Sequence, residues 1–166
     1  MINTRTLLKV AIFSVAFAFV EASVVVYLRH LLGSTQPDVG RYEILFLVPG
    51  IAFLEPQTAI KIITDSALLN IERTRELATL ILLAIVAALA GKNARLQVAY
   101  FFLTFGIWDI FYYIFLRLTI GWPKALTDLD IFFLLPTPWV GPVIVPVAIS
   151  SFLIVASLWY LKRSSQ

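Results

Sequence analysis

The sequence predicts an all-α integral membrane protein: four transmembrane helices in a bundle, with interfacial or re-entrant helical segments on the extracytoplasmic side. Three observations carry this expectation. Apolar residues make up 60% of the 166 residues and charged residues only 14%, against roughly 45–50% and 25% in soluble domains. Mean hydropathy is +0.91. The apolar residues gather into runs, and a hydrocarbon core of about 30 Å needs about 20 of them in a helix. No repeat or low-complexity linker divides the chain, so residues 1–166 are expected to form a single transmembrane domain.

Several chemistries are excluded at the same stage. The formal net charge is +3, and the basic residues stand singly or in pairs. They read as membrane flanks and not as a nucleic-acid patch. The absence of cysteine rules out disulfides, thiolate catalysis, iron–sulfur clusters and Cys-ligated zinc within this chain. His30 is the only histidine, so a bis-His haem within the chain is excluded too.

The first span is expected over about 7–31. Arg5, Lys9 and the small residues Ala16 and Ala18 have the layout of a signal peptide, but the apolar run continues to Tyr27. That is longer than an ordinary h-region, so the span is expected to be uncleaved. Arg29 and His30 close it, and the stretch from Gly33 to Pro37 carries turn chemistry. Residues 44–54 are apolar but too short to span as a helix, and Pro49-Gly50 breaks them. A re-entrant or interfacial segment is expected there. From Gln57 to Leu69, polar Thr58, Lys61 and Asp65 share one helical face, which predicts a surface-lying amphipathic helix. Together, 44–69 forms the first interfacial segment.

The second span is expected over about 70–90, with Asn70 as its N-cap and Gly91-Lys92-Asn93 as its stop. Ala84, Ala87, Ala88 and Gly91 put small residues on one face, a pattern that permits close helix contact in lipid. The third span, about 96–120, follows after a very short turn and must form a hairpin with the second. Gly121-Trp122-Pro123 ends it. The apolar part of 124–136 is expected to fold back onto the membrane face as the second interfacial segment. The fourth span is expected over about 140–161, with Pro142 in its first turn and a kink at Pro146.

Orientation follows from the basic flanks. Arg5, Lys9, Lys92, Arg95, Lys162 and Arg163 fall together, and acids accompany the basic residues of the opposite side. The expectation is a multi-pass protein of a cytoplasmic-type membrane, with both termini cytoplasmic.

A polar constellation interrupts this apolar plan. At about 1.5 Å per residue, Glu21 and Asp109 lie about 20 Å from the cytoplasmic ends of their spans, and Glu76 about 22 Å. Glu72, Arg75, Glu76 and Thr79 share one face of the second span, and Asp109, Tyr112 and Tyr113 share one face of the third. The candidate site is therefore Glu21, Glu72, Arg73, Arg75, Glu76, Asp109, Tyr112 and Tyr113. Two readings stand side by side. Acids and arginines in lipid lock helices together as ion pairs. A surplus of acid also suits a proton, a cation or a cationic head group. The all-oxygen donor set matches a hard divalent cation only loosely, and the Glu-x-x-His motifs of di-iron bundles are missing. No metal is predicted and no cofactor is indicated. Tyr112 and Tyr113 suit a quinone or a radical path, but adjacent aromatics in a span are more often packing residues.

Three functions are compatible with this pattern. The first expectation is a small integral subunit or assembly factor of a larger membrane complex. It rests on small size, the Ala/Gly face and the lack of a recognisable catalytic set. The second is a proton or cation transporter or channel using the acids. The third is a membrane-embedded enzyme acting on a lipid or quinone. The expected partners are the lipid bilayer and other membrane subunits or further copies of the chain, with no nucleic acid.

Overall fold

The computed structural model describes residues 4–33 and 43–164. The turn expected over 33–37 therefore lies, beyond Gly33, outside the described residues, as do Asp38 and Arg41. The chain is mostly helical. In order it forms α1 (Thr4–Leu32), β1 (Ile44–Val48), β2 (Ile51–Leu54), α2 (Thr58–Ile62), α3 (Ser66–Ala90), α4 (Ala94–Ile120), β3 (Leu129–Phe133), β4 (Trp139–Pro142) and α5 (Ile144–Arg163).

Among the described residues, α1, α4 and α5 are long and apolar enough to cross a membrane. α3 differs because Glu72, Arg73, Arg75 and Glu76 occupy its first half. Its uncharged remainder, Leu77–Ala90, is only about 21 Å of helix.

α4 is the centre. It packs against α1, α3 and α5, whereas α1 and α3 touch sparsely. Small residues allow the close approaches. Ser14, Ala18 and Ala22 form a buried stripe along α1, and the Ser14 hydroxyl donates to its own helix at Val10 O, 2.8 Å away. Gly106 of α4 lies against α5, where a Cβ would come within 2.8 Å of Ser150 O and 2.9 Å of Ile154 Cγ1. At one end of the bundle Val10, Ala87, Tyr100, Leu103 and Leu161 join in an apolar cluster. The starts of α1 and α4 and the ends of α3 and α5 meet there.

The opposite end carries an antiparallel sheet of strand order β1-β2-β4-β3, so the all-α expectation is corrected. The 44–54 segment is a β-hairpin and not a re-entrant helix. Pro49 and Gly50 make its two-residue turn, with Gly50 at φ 82°. Proline followed by a positive-φ glycine is the chemistry of a type II turn. The 124–136 loop contributes β3 and not a helical segment.

The helix ends also shift. The amphipathic helix expected over 57–69 is broken at Ile63, which is extended; its first part is α2 and its last residues, 66–69, open α3. Ala59 and Ile63 pack with Leu69 and Leu134 in a buried cluster. α3 starts four residues before Asn70, because the Asp65 side chain accepts from Leu68 N at 2.9 Å and caps it. The stop at Gly91–Asn93 stands where expected, with Asn93 capping α4. α5 starts at Ile144, so Pro142 belongs to β4. Pro146 falls in the first turn, where a helix N–H has no partner to lose, and it breaks nothing.

The Gly106 contact yields a prediction. Gly106→Ala should push α5 away from α4 and cost about 1–3 kcal/mol. The measurement is the unfolding midpoint in detergent, and an unchanged midpoint would refute tight packing at this crossing.

Candidate functional site

Beneath the sheet, a cavity of about 520 Å³ is lined by α1, α3, α4 and α5, by β3 and by the segment around Lys61–Thr64. Its lining contains Glu21, Glu72, Arg75, Glu76, Asp109, Tyr112 and Tyr113. Of the residues singled out in the sequence, only Arg73 lies outside it; its Nε is buried without a hydrogen-bond partner.

The polar lining is organised as separate links between elements. Arg75 bonds through Nε to Glu72 at 3.0 Å. Its two terminal nitrogens form ion pairs with Glu72 and with Glu21 of α1. Glu21 also accepts from Thr79 Oγ1 at 3.1 Å. This group ties α1 to α3 where their apolar contact is thin. Glu76 points toward the sheet: both of its oxygens accept from Leu134 N, at 2.9 Å. Asp109 is buried on α4 and accepts from the Ser150 hydroxyl of α5 at 2.7 Å. Its direct partner is therefore Ser150 and not Arg75, although both line the same space.

Five further polar residues of the lining, Arg29, Lys61, Thr64, Asp130 and Ser150, stand outside the set singled out in the sequence. Asp130 of β3 is 3% exposed. It pairs with Arg29 Nη2 at 2.9 Å and accepts from the Tyr113 hydroxyl at 3.1 Å. Arg29 in turn lies 3.8 Å over the Trp122 ring, a cation–π contact that fixes the guanidinium on a second side. Burial, only partly offset by Arg29, pushes the Asp130 carboxyl up to about 6. Ser150 and Lys61 also line the cavity. One signal for Arg29 is present in the sequence. Glu21, Val25, Leu28, Arg29 and Leu32 share a helical face, and all of them line the cavity. Asp130 carries no such signal, because only the pairing of β3 with β4 brings it over the bundle.

The remaining lining is apolar and aromatic, with Phe105, Trp108, Phe133, Trp139 and Ile149 among it. Trp108 and Tyr112 stack one turn apart. The space is therefore lined by carboxylates, guanidinium groups and phenols together with aromatic and aliphatic side chains. Among the described residues neither Glu76 nor Asp109 has an ion-pair partner, and no group of three His, Asp or Glu side chains is placed to hold a metal ion. No family model, curated protein or solved structure matches the chain.

Two predictions follow from this geometry. Arg75→Met should leave Glu21 and Glu72 buried without their cation, at a cost of about 3–5 kcal/mol. Adding Glu21→Gln and Glu72→Gln should restore most of it, as read from denaturation in detergent; a triple variant no more stable than the single one would count against the link. Asp130 has the opposite dependence from an ordinary paired acid. Its carboxyl rises from 3.8 to about 6 on folding, so the folded state holds the proton more tightly. Its contribution is full below the unfolded value and is lost as pH climbs through about 6. Relative to Asp130→Asn, the wild type should lose stability between about pH 4 and pH 6. A difference that stays constant with pH would show the carboxyl to be unshifted.

Proposed function

We propose that this chain is a multi-pass protein of a cytoplasmic-type membrane that holds a lipid-like or quinone-like amphiphile in the cavity beneath its sheet. In this reading α3 is a fourth span and both termini face the cytoplasm, with Lys9, Lys92, Arg95 and Arg163 at that end. The cavity then lies in the outer half of the bilayer, within reach of lipid.

The observation that carries the proposal is the mixed lining of a space of about 520 Å³. That size falls within the range of small-molecule sites, about 300–1,000 Å³. Acids at membrane depth are costly and need a partner or a task. Glu21 and Glu72 have Arg75, and Asp130 has Arg29. Among the described residues the hydrogen bonds to Glu76 and Asp109 come from neutral donors. These two acids are the groups available to accept a hydrogen bond or a proton from the polar end of a ligand. Phe105, Trp108 and Ile149 suit its apolar part.

A subunit or assembly role is the second reading, and one observation favours it. Ala84 and Ala88 stay exposed on the outer side of α3 while Ala87 packs inward. A small-residue face directed outward suits another helix. The transporter reading has less support, because the apolar cluster around Leu103 occupies the other end of the bundle.

Gentle purification followed by mass spectrometry of small molecules and proteins tests the choice. The expected result is a co-purifying amphiphile. Losing one charged hydrogen bond, worth about 1.5–3 kcal/mol, should lower its retention roughly 10- to 100-fold in Asp109→Asn or Glu76→Gln. A protein partner with no small molecule would favour the subunit reading. Equal retention in both variants would remove the two acids from the site.

A further inference from the structure

Independently of what the cavity holds, we propose that the β1–β2 hairpin is a membrane-docking element, seated in the outer phospholipid leaflet at the boundary between headgroups and acyl chains. Successive side chains of a strand point to opposite faces, so a strand between a core and water alternates apolar with polar. β1 does not alternate. Ile44, Leu45, Phe46, Leu47 and Val48 are all apolar, and all are exposed, from 40% at Val48 to 68% at Leu47. Both faces are therefore built for an apolar surrounding. Water is the wrong medium for either.

The position of the hairpin says which surrounding this is. Its turn rests on the start of α5, where a Cβ on Gly50 would come within 2.7 Å of Val145 Cγ2. α5 is long and apolar enough to cross a membrane, and its own exposed residues Ile144, Phe152 and Val155 continue the apolar surface away from the hairpin. The strip on β1 is thus continuous with a lipid-facing helix. Charge sets the tilt. The ends of the hairpin away from the turn carry Glu43 and Glu55, whose backbones pair at 3.0 Å, so that base lies toward water and the Pro49-Gly50 tip toward the bilayer.

Backbone chemistry sets the depth. Among the described residues β1 is an edge strand, in the order β1-β2-β4-β3, so one row of its N–H and C=O groups has no strand partner there. Such an edge is not tolerated in hydrocarbon but is satisfied by water and headgroups. It also has none of the charges or prolines that protect an edge in water, since no such residue lies between Glu43 and Pro49. Pairing with a second copy would satisfy that row and still leave both apolar faces uncovered. A lipid boundary satisfies the edge and the faces together.

The chain has no cysteine, so single cysteines report cleanly. Leu47→Cys and Val48→Cys, on opposite faces, are labelled with a nitroxide and reconstituted in phosphatidylcholine vesicles. Lys124→Cys, an exposed loop position at the same end of the bundle, is the aqueous reference. Power saturation compares collision with oxygen, which concentrates in lipid, and with a water-soluble nickel chelate. The expected result is an oxygen-to-nickel ratio at both 47 and 48 several-fold above that at 124. A nickel-dominated signal at either position would place that face in water and overturn the proposal. So would an immobilised label shielded from both reagents, which would indicate a protein partner or a second copy.

Discussion

One constraint organises this molecule: the Arg75 guanidinium, set among apolar helices, has to be met by carboxylates. Arg75 meets it by bonding Glu72 one turn away on its own helix and Glu21 on α1. Apolar packing alone would join α1 to α4 and α4 to α3, leaving α1 and α3 loosely associated. The Arg75 group closes that gap. It sets how α3 is rotated, because Glu72, Arg75, Glu76 and Thr79 lie on one face and turn inward together. Glu76 is then directed at the end of β3, where its oxygens meet Leu134 N.

The cavity follows from how the polar groups are shared. Each main helix contributes polar side chains to the lining: Glu21 and Arg29 on α1, Arg75 and Glu76 on α3, Asp109 and Tyr113 on α4, Ser150 on α5. They do not merge into one network. They bond in separate groups, to a neighbouring helix or to the sheet. Each group holds two or three elements at hydrogen-bond length, and the space between the groups stays open. At the other end Val10, Ala87 and Leu103 have no such requirement and close on one another. The sheet completes the arrangement, with Asp130 as its contact to α1 and α4 and Leu134 as its contact to α3.

Helix existence and type were legible from residue patterns wherever a segment was long and uniformly apolar, and the Gly91–Asn93 and Gly121 stops needed only local chemistry. The hairpin was not legible. Ile44–Leu54 is apolar on both strand faces, so no alternation marks it as β, and Pro49-Gly50 reads equally as a helix break. Asp65 lost to Asn70 as a cap because a plausible cap is available at both positions. Within the site, Glu21, Arg75 and Asp109 stood out because a charge in a span is conspicuous. Ser150 did not, because hydroxyls in spans usually bond their own helix four residues back, as Ser14, Thr104 and Ser151 do here. Asp130 carries no local signal, since its place depends on strand register.

The tight link between α3 and α4 bears on how the protein is made. Gln97 bonds back to Ala88 O and Gly91 O across the Lys92-Asn93 turn, so the two helices are held as a unit at one end. On a four-span reading, α3 alone is a poor candidate for release into lipid during synthesis, because four charged residues fill its first half. Joined to α4, it can enter as a hairpin whose second arm is strongly apolar. On that reading Arg75 would meet Glu21 on a helix synthesised earlier. Biogenesis would thus follow the chain order, with α1 serving as the template on which the charged half of α3 is neutralised.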